Sequence, residues 1–264
     1  MNDFHEMVDK IKEEIDKFKG ICGVIIKNEN TGELLQYNEK LVFPSASIIK
    51  LSILLELFKR IENGEFSLED RVMLKDSDKV GGFGVLKELD CNLNLTIKDL
   101  ATLMIILSDN VATNKLIDIL GMDSINNTVK ELGMKDTVLG RKMMDEEAKK
   151  RGLDNYTSAK DTLTIFEAYL NPSKIVELCP KNRDTIIDIL KKQQCNNKLP
   201  FLMPKDIAFG HKTGDLPGVE HDAGILFSKT GNIIIVVLTK DLEDNAYGVQ
   251  FNNNIGKIVA EYCC

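Results

Sequence analysis

Residues 207–240 read "IAFGHKTGDLPGVEHDAGILFSKTGNIIIVVLTK", and the fold follows from how this stretch divides. Three runs, "IAFGHKTG", "DAGILFS" and "NIIIVVLTK", are short, apolar and rich in β-branched residues, with turn-forming clusters between them. Such runs read as strands. Near the other end, "ICGVIIKNENTGELLQYN" places two β-rich runs around the turn cluster "NENTGE", which predicts a hairpin. Helical signals fill the interval. Thr96 with Asp99 forms a capping box ahead of "TIKDLATLMIIL". Another helix begins near Val111, a third runs through "SINNTVKELG", Ser158 caps "SAKDTLTIFEAYL", and "NRDTIIDILKKQ" follows. At the N-terminus Phe4, Met7, Val8, Ile11, Ile15 and Phe18 recur at helical spacing, and "FNNNIGKIVAEY" closes the chain as a helix. The expected fold is therefore α/β of the α+β kind. An antiparallel sheet, flanked by the terminal helices, joins residues 1–45 to 195–264, and 46–194 is an inserted helical lobe. Residues 66–95 and 135–157 show no regular period and are expected as loops; loops of that length inside a compact domain are usually functional.

The 264 residues carry a net charge of -7, with 28% charged residues of both signs interspersed and 43% hydrophobic. That composition supports a large core in one domain or two intertwined lobes. The acidic balance and the absence of a basic block exclude a nucleic-acid role. No apolar stretch approaches the roughly 20 residues of a membrane span. The N-terminal helix is amphipathic, unlike the continuous apolar core of a secretory signal. The chain as written reads as cytoplasmic, or as exported if a leader has been removed. Six cysteines, Cys22, Cys91, Cys179, Cys195, Cys263 and Cys264, form no C-x-x-C pair, so no metal site and no cofactor is expected. A monomer acting on a small molecule is the expected state.

One stretch resists a purely structural reading. In "VFPSASIIKLSILLELF", residues 42–58, Lys50 is held in an apolar helix three residues after Ser47. Positions i and i+3 share a helix face. Desolvation disfavours a charged lysine, so Lys50 can take the proton of Ser47 and make it a nucleophile without a histidine. A snorkelling lysine and a serine cap fit the same four residues. "SDN", Ser108 to Asn110, falls at a break between two helices, where it can be a turn or reach a substrate; Asp109 suits bracing. "HKTG", His211 to Gly214, ends a strand, where Lys212 offers a charge, Thr213 a hydroxyl and Gly214 close approach to a ligand. A second "KTG", within Ser228 to Gly231, sits where a hairpin turn is expected.

Taken in this order, S-x-x-K, S-D-N and K-T-G resemble the signature of active-site serine β-lactamases and penicillin-binding proteins, and the chain resembles class A β-lactamases over nearly its whole length. The resemblance implies a site at the seam of the two lobes. It implies Ser47 as the acylated nucleophile, Lys50 as its base or proton shuttle, Ser108 as a proton relay and Lys212 as a catalytic charge. Asn110, Thr213, Gly214 and Asp215 would bind the substrate, with backbone N–H groups of Ser47 and Asp215 as the oxyanion hole. One departure stands out. The family's R-x-E-x-x-L-N loop matches "GRKMMDEEAKKRGLDNYTSAKD", and if Arg141 is the matching arginine, the glutamate position is Met143. Asp145, Glu146 and Glu147 lie close by and offer a deacylation base, or a solvated face; no asparagine partner is evident. The implied function is a serine hydrolase, most simply a β-lactamase. An esterase or peptidase on the same scaffold, or a slowly deacylating penicillin receptor, are the alternatives.

Overall fold

The computed structural model describes residues 4–90, 92–171, 176–228 and 231–263. Cys91, Cys264 and the Lys229–Thr230 tip of the second K-T-G lie outside the described residues. The elements run α1 (Phe4–Lys17), β1 (Ile21–Asn28), β2 (Leu34–Tyr37), β3 (Phe43–Pro44), α2 (Lys50–Glu62), β4 (Arg71–Met73), β5 (Asn94–Thr96), α3 (Ile97–Ile106), α4 (Asn110–Leu120) and α5 (Met122–Glu131). They continue with α6 (Glu146–Lys150), β6 (Tyr156–Thr157), α7 (Ala159–Leu170), α8 (Pro180–Lys191), β7 (Ala208–Leu216), β8 (Val219–Ser228), β9 (Gly231–Lys240) and α9 (Asn245–Cys263).

The main sheet has the order β2-β1-β9-β8-β7 and is antiparallel throughout. Strand β1 pairs with β9, Ile25 opposite Val236, so the first hairpin and the last three strands form one surface. The run "IIIVVL" is continuous rather than alternating because both sheet faces are covered. Ile233, Ile235 and Val237 join α1 and α9 in one core cluster; Ile234, Val236 and Leu238 join the helices of the middle of the chain in the other. Strand β7 is an edge, and the site is built along it.

Helix α2 is buried from Lys50 to Phe58 without a solvent face. An all-round buried helix belongs at the centre of its lobe, and each buried Leu or Phe there stabilises the fold by about 1.5–3 kcal/mol. That packing leaves Lys50 no path to water.

Two regions expected as loops contain small sheets. Strands β4 and β5 pair between Arg71 and Thr96, and β6 pairs with β3, Tyr156 opposite Pro44. Strands of two or three residues are too short to show a period of two. Helix α6, five residues long, is invisible to helical periodicity for the same reason.

Candidate active site

The helix expected from Ser47 begins as a tight 3-10 turn, Ala46–Ile49, and becomes α-helical only at Lys50. In a 3-10 turn residues i and i+3 eclipse each other, so Ser47 and Lys50 share a face. Ala46 enters the turn at φ 45°, a conformation non-glycine residues adopt at a cost. Strand β7 presses against this turn. A Cβ on Gly214 would stand 3.1 Å from the Ala46 methyl and 3.3 Å from Ile48 Cγ1. Glycine in K-T-G thus lets the strand edge reach the nucleophile's turn.

The S-D-N segment is wired to the "VGGFG" loop. Asp109 Oδ1 caps α4 by accepting from Ala112 N at 3.0 Å, while Oδ2 accepts from Val85 N and Leu86 N at 2.7 and 2.9 Å. Asn110 donates its backbone N–H to Phe83 O and its Nδ2 to Gly81 O. Gly84, at φ 112°, lies so close that a Cβ would sit 2.3 Å from Asp109 Cγ. The glycines of this loop are there because it lies directly on S-D-N.

The four expected catalytic side chains form one connected set. Lys50 Nζ donates to Ser108 O at 2.6 Å, Ser108 Oγ at 2.9 Å and Asn110 Oδ1 at 3.0 Å. Ser108 Oγ donates to Ser47 Oγ at 2.7 Å, and Lys212 Nζ donates to Ser108 Oγ at 3.2 Å. Among the described residues no hydrogen bond joins Lys50 to Ser47. Ser108 Oγ instead bonds to both, and so lies between Lys50 and Ser47. Ser108 is held in the left-handed region, φ 53°, with its carbonyl on Lys50. Lys50 is 0% exposed and meets only neutral acceptors. Burial first, then the charge of Lys212, push its ammonium well below the usual lysine range. Burial brings Lys212 down to about 8.

Ser47 opens onto a cavity of about 470 Å³. Phe83, Met143, Met144, Leu216 and Pro217 give it an apolar wall; Asn110, Asn155, Asp215 and Glu146 also line it. Loop 141–155 brings Met143 to the cavity, buried and clamped by Asn114, which bonds both its N–H and its carbonyl at 2.8 and 3.0 Å. The three loop acids separate. Asp145 accepts from Ala148 N as the cap of α6, Glu147 pairs with Lys150 in solvent, and only Glu146 lines the cavity. Asn155, unread in the sequence, braces the loop: its Oδ1 accepts from Gly140 N and Arg141 N, and its carbonyl takes Ser45 N at 2.8 Å.

Lys198, also unread in the sequence, is 0% exposed behind β7. Its Nζ donates to Gly214 O and His221 O, both at 3.1 Å, and lies 2.7 Å from Asp215 Oδ1 and 2.5 Å from Glu220 Oε2. Burial alone would raise the Asp215 carboxyl, but Lys198 holds it below its ordinary value; burial keeps Glu220 raised despite the same lysine. Thr213 is buried, and its Oγ1 has no partner.

Comparison with known proteins gives the same outline. The profile of the family described as "Beta-lactamase enzyme family" matches residues 6–263. The chain is 24% identical to β-lactamase BRO-1 of Moraxella catarrhalis, over 96% of this chain and 82% of that one. Among solved structures, a β-lactamase from Sphaerobacter thermophilus DSM 20745 is 30% identical with a TM-score of 0.87, covering 98% of this chain and 97% of that one. PBP-A is 27% identical with a TM-score of 0.86, covering 98% and 96%; a leucine-to-glutamate mutant of it is known as an acyl-enzyme complex with penicillin G.

Proposed function

The chain belongs to the beta-lactamase enzyme family, and we propose that it opens the amide bond of β-lactams by forming an acyl-enzyme on Ser47. The observation that carries this reading is the relay from Lys50 through Ser108 to Ser47, with links of 2.9 and 2.7 Å around a buried lysine that has no carboxylate partner. Hydroxyl protons rotate freely between partners. With Lys50 neutral, the Ser47 proton passes to Ser108 and the Ser108 proton to Lys50. Ser47 Oγ then bonds to the lactam carbonyl carbon. Backbone N–H groups of Ser47 and Asp215 receive the oxyanion. As the C–N bond breaks, the proton returns from Lys50 through Ser108 to the leaving nitrogen. Lys212, in its ammonium form, favours negative charge at Ser108 and along the β7 edge, where Thr213 and Gly214 flank the substrate and Asn110 meets its amide. The cavity volume suits a small molecule.

A second reading concerns the rate of the second half-reaction. Water attacks an ester efficiently only with a base in hydrogen-bond reach. Met143 offers a thioether where class A enzymes offer a glutamate; of the cavity's acids Asp154 is paired with Arg141, Asp215 with Lys198, and Glu146 is solvent-exposed. The acyl-enzyme is therefore long-lived. We place the chemistry at the seam between the sheet lobe, 1–45 and 195–264, and the helical lobe, 46–194. Among the described residues no helix is long and apolar enough to cross a membrane. The test is labelling by a fluorescent penicillin or a fluorophosphonate. Wild type should be labelled and Ser47→Ala should not; equal labelling of both removes Ser47 from the mechanism.

A further inference from the structure

Lys198 sits where an incoming anion would be met, and a side chain of the protein already occupies it. Residues two apart on a strand share a face, so Thr213 and Asp215 stand together on one face of β7. Lys198 lies against that face, bonded to the carbonyl of Gly214 between them. A buried ammonium next to a buried hydroxyl with no partner is a receptor for a carboxylate. Yet four oxygens already surround Lys198 Nζ: two backbone carbonyls, Asp215 Oδ1 and Glu220 Oε2. Two carboxyl groups face one ammonium. Burial raises the Glu220 carboxyl, so Asp215 is the carboxylate that holds Lys198. Lys198 is fully buried and the Glu220 side chain is 8% exposed, whereas Asp215 is 31% exposed and lines the cavity that holds Ser47. Asp215 is therefore the member of this set that a substrate meets.

We propose that Asp215 is a specificity-determining residue: its carboxylate takes the place on Lys198 that a substrate carboxylate would take, and so removes the advantage Lys198 would give a carboxylate-bearing substrate over a neutral one. Lys212 keeps its charge between two neutral acceptors, Ser108 Oγ and Thr213 O, so the site still admits a carboxylate-bearing penicillin. The inference rests on acyl transfer at Ser47, and it narrows the substrates that reach it.

The experiment compares wild type, Asp215→Asn and Asp215→Glu. Acylation rates are taken by intact mass for a penicillin and its methyl ester. Dissociation constants are taken for a neutral arylboronic acid and a carboxylate-bearing one, which report on the nucleophile's surroundings without β-lactam chemistry. Asp215→Asn should raise the carboxylate-to-neutral ratio roughly tenfold or more in both pairs, the size of one removed like charge a few ångströms away. Asp215→Glu should leave the ratio near wild type. A ratio within twofold of wild type in Asp215→Asn, or an equal rise in both variants, overturns the proposal. If no β-lactam acylates any variant while the boronic acids bind, the β-lactam reading fails and the boronic pair alone decides the role of Asp215.

Discussion

The two sides of the cavity differ in how finished they are. On the side of α2, S-D-N and β7, every group to which we assign a part in forming the ester is in contact with the next: Lys50, Ser108, Ser47 and Lys212 make one chain of hydrogen bonds. On the side of loop 141–155 the backbone is just as well fixed, by Asn114 and Asn155, but the side chain it delivers is Met143. The difference shows that positioning and reactivity are separable. A loop can keep its geometry, held by two asparagine amides, while the residue it presents loses the ability to accept a proton.

The comparison breaks most visibly on the acylating side. Lys50→Ala should slow acylation by about 10²–10⁴-fold, the usual size of general-base assistance, while the protein stays folded. Unchanged acylation in that variant would mean the relay ends elsewhere. The loop side gives the next effect. Met143→Glu should speed release of the acyl group by roughly 10²-fold, the low end of what a positioned base contributes, and leave acylation within a few-fold. If the adduct of Met143→Glu persists as long as that of wild type, the missing base is not what limits release.

A smaller effect follows from Lys212. Burial sets its pKa at about 8, so the ammonium is present below that pH and lost above it. Acylation needs Lys50 neutral, which rising pH favours, and Lys212 charged, which rising pH removes. The rate constant for acylation should therefore fall above about pH 8, by about tenfold per unit if the charge is essential. A profile flat to pH 9 would exclude Lys212 as a required charge. The smallest effect is expected at the cavity rim: Glu146→Gln should change release by no more than about threefold, since an exposed carboxylate is a weakly held base. A complete loss of turnover there would identify Glu146 as the base and make the loop side functional after all.

The acylating side was legible in the sequence because its chemistry is written in adjacent residues: S-x-x-K places two groups on one helical face, and K-T-G marks a strand edge that needs close approach. The sheet was legible because its strands, among them Ile233 to Leu238, are long enough to show their pattern. What lay hidden depends on long-range contact. The interposition of Ser108 between Lys50 and Ser47 arises from the packing of α2 against the α3–α4 break, which no local pattern encodes. Lys198, in "NNKLPF", reads as an ordinary loop lysine, since its partners Asp215 and Glu220 belong to strands β7 and β8. Asn155 reads as a turn residue, since its partners are backbone N–H groups of Gly140 and Arg141 across the loop, and β4, β5 and β6 were obscured by their length.

The central claim, a complete acylating side facing an incomplete deacylating one, is tested most directly by mixing the wild-type protein with a penicillin and following intact mass against time. The account predicts rapid gain of one penicillin mass, mapped to Ser47, and an adduct that persists for minutes. Fast multiple turnover with no accumulating adduct would contradict it.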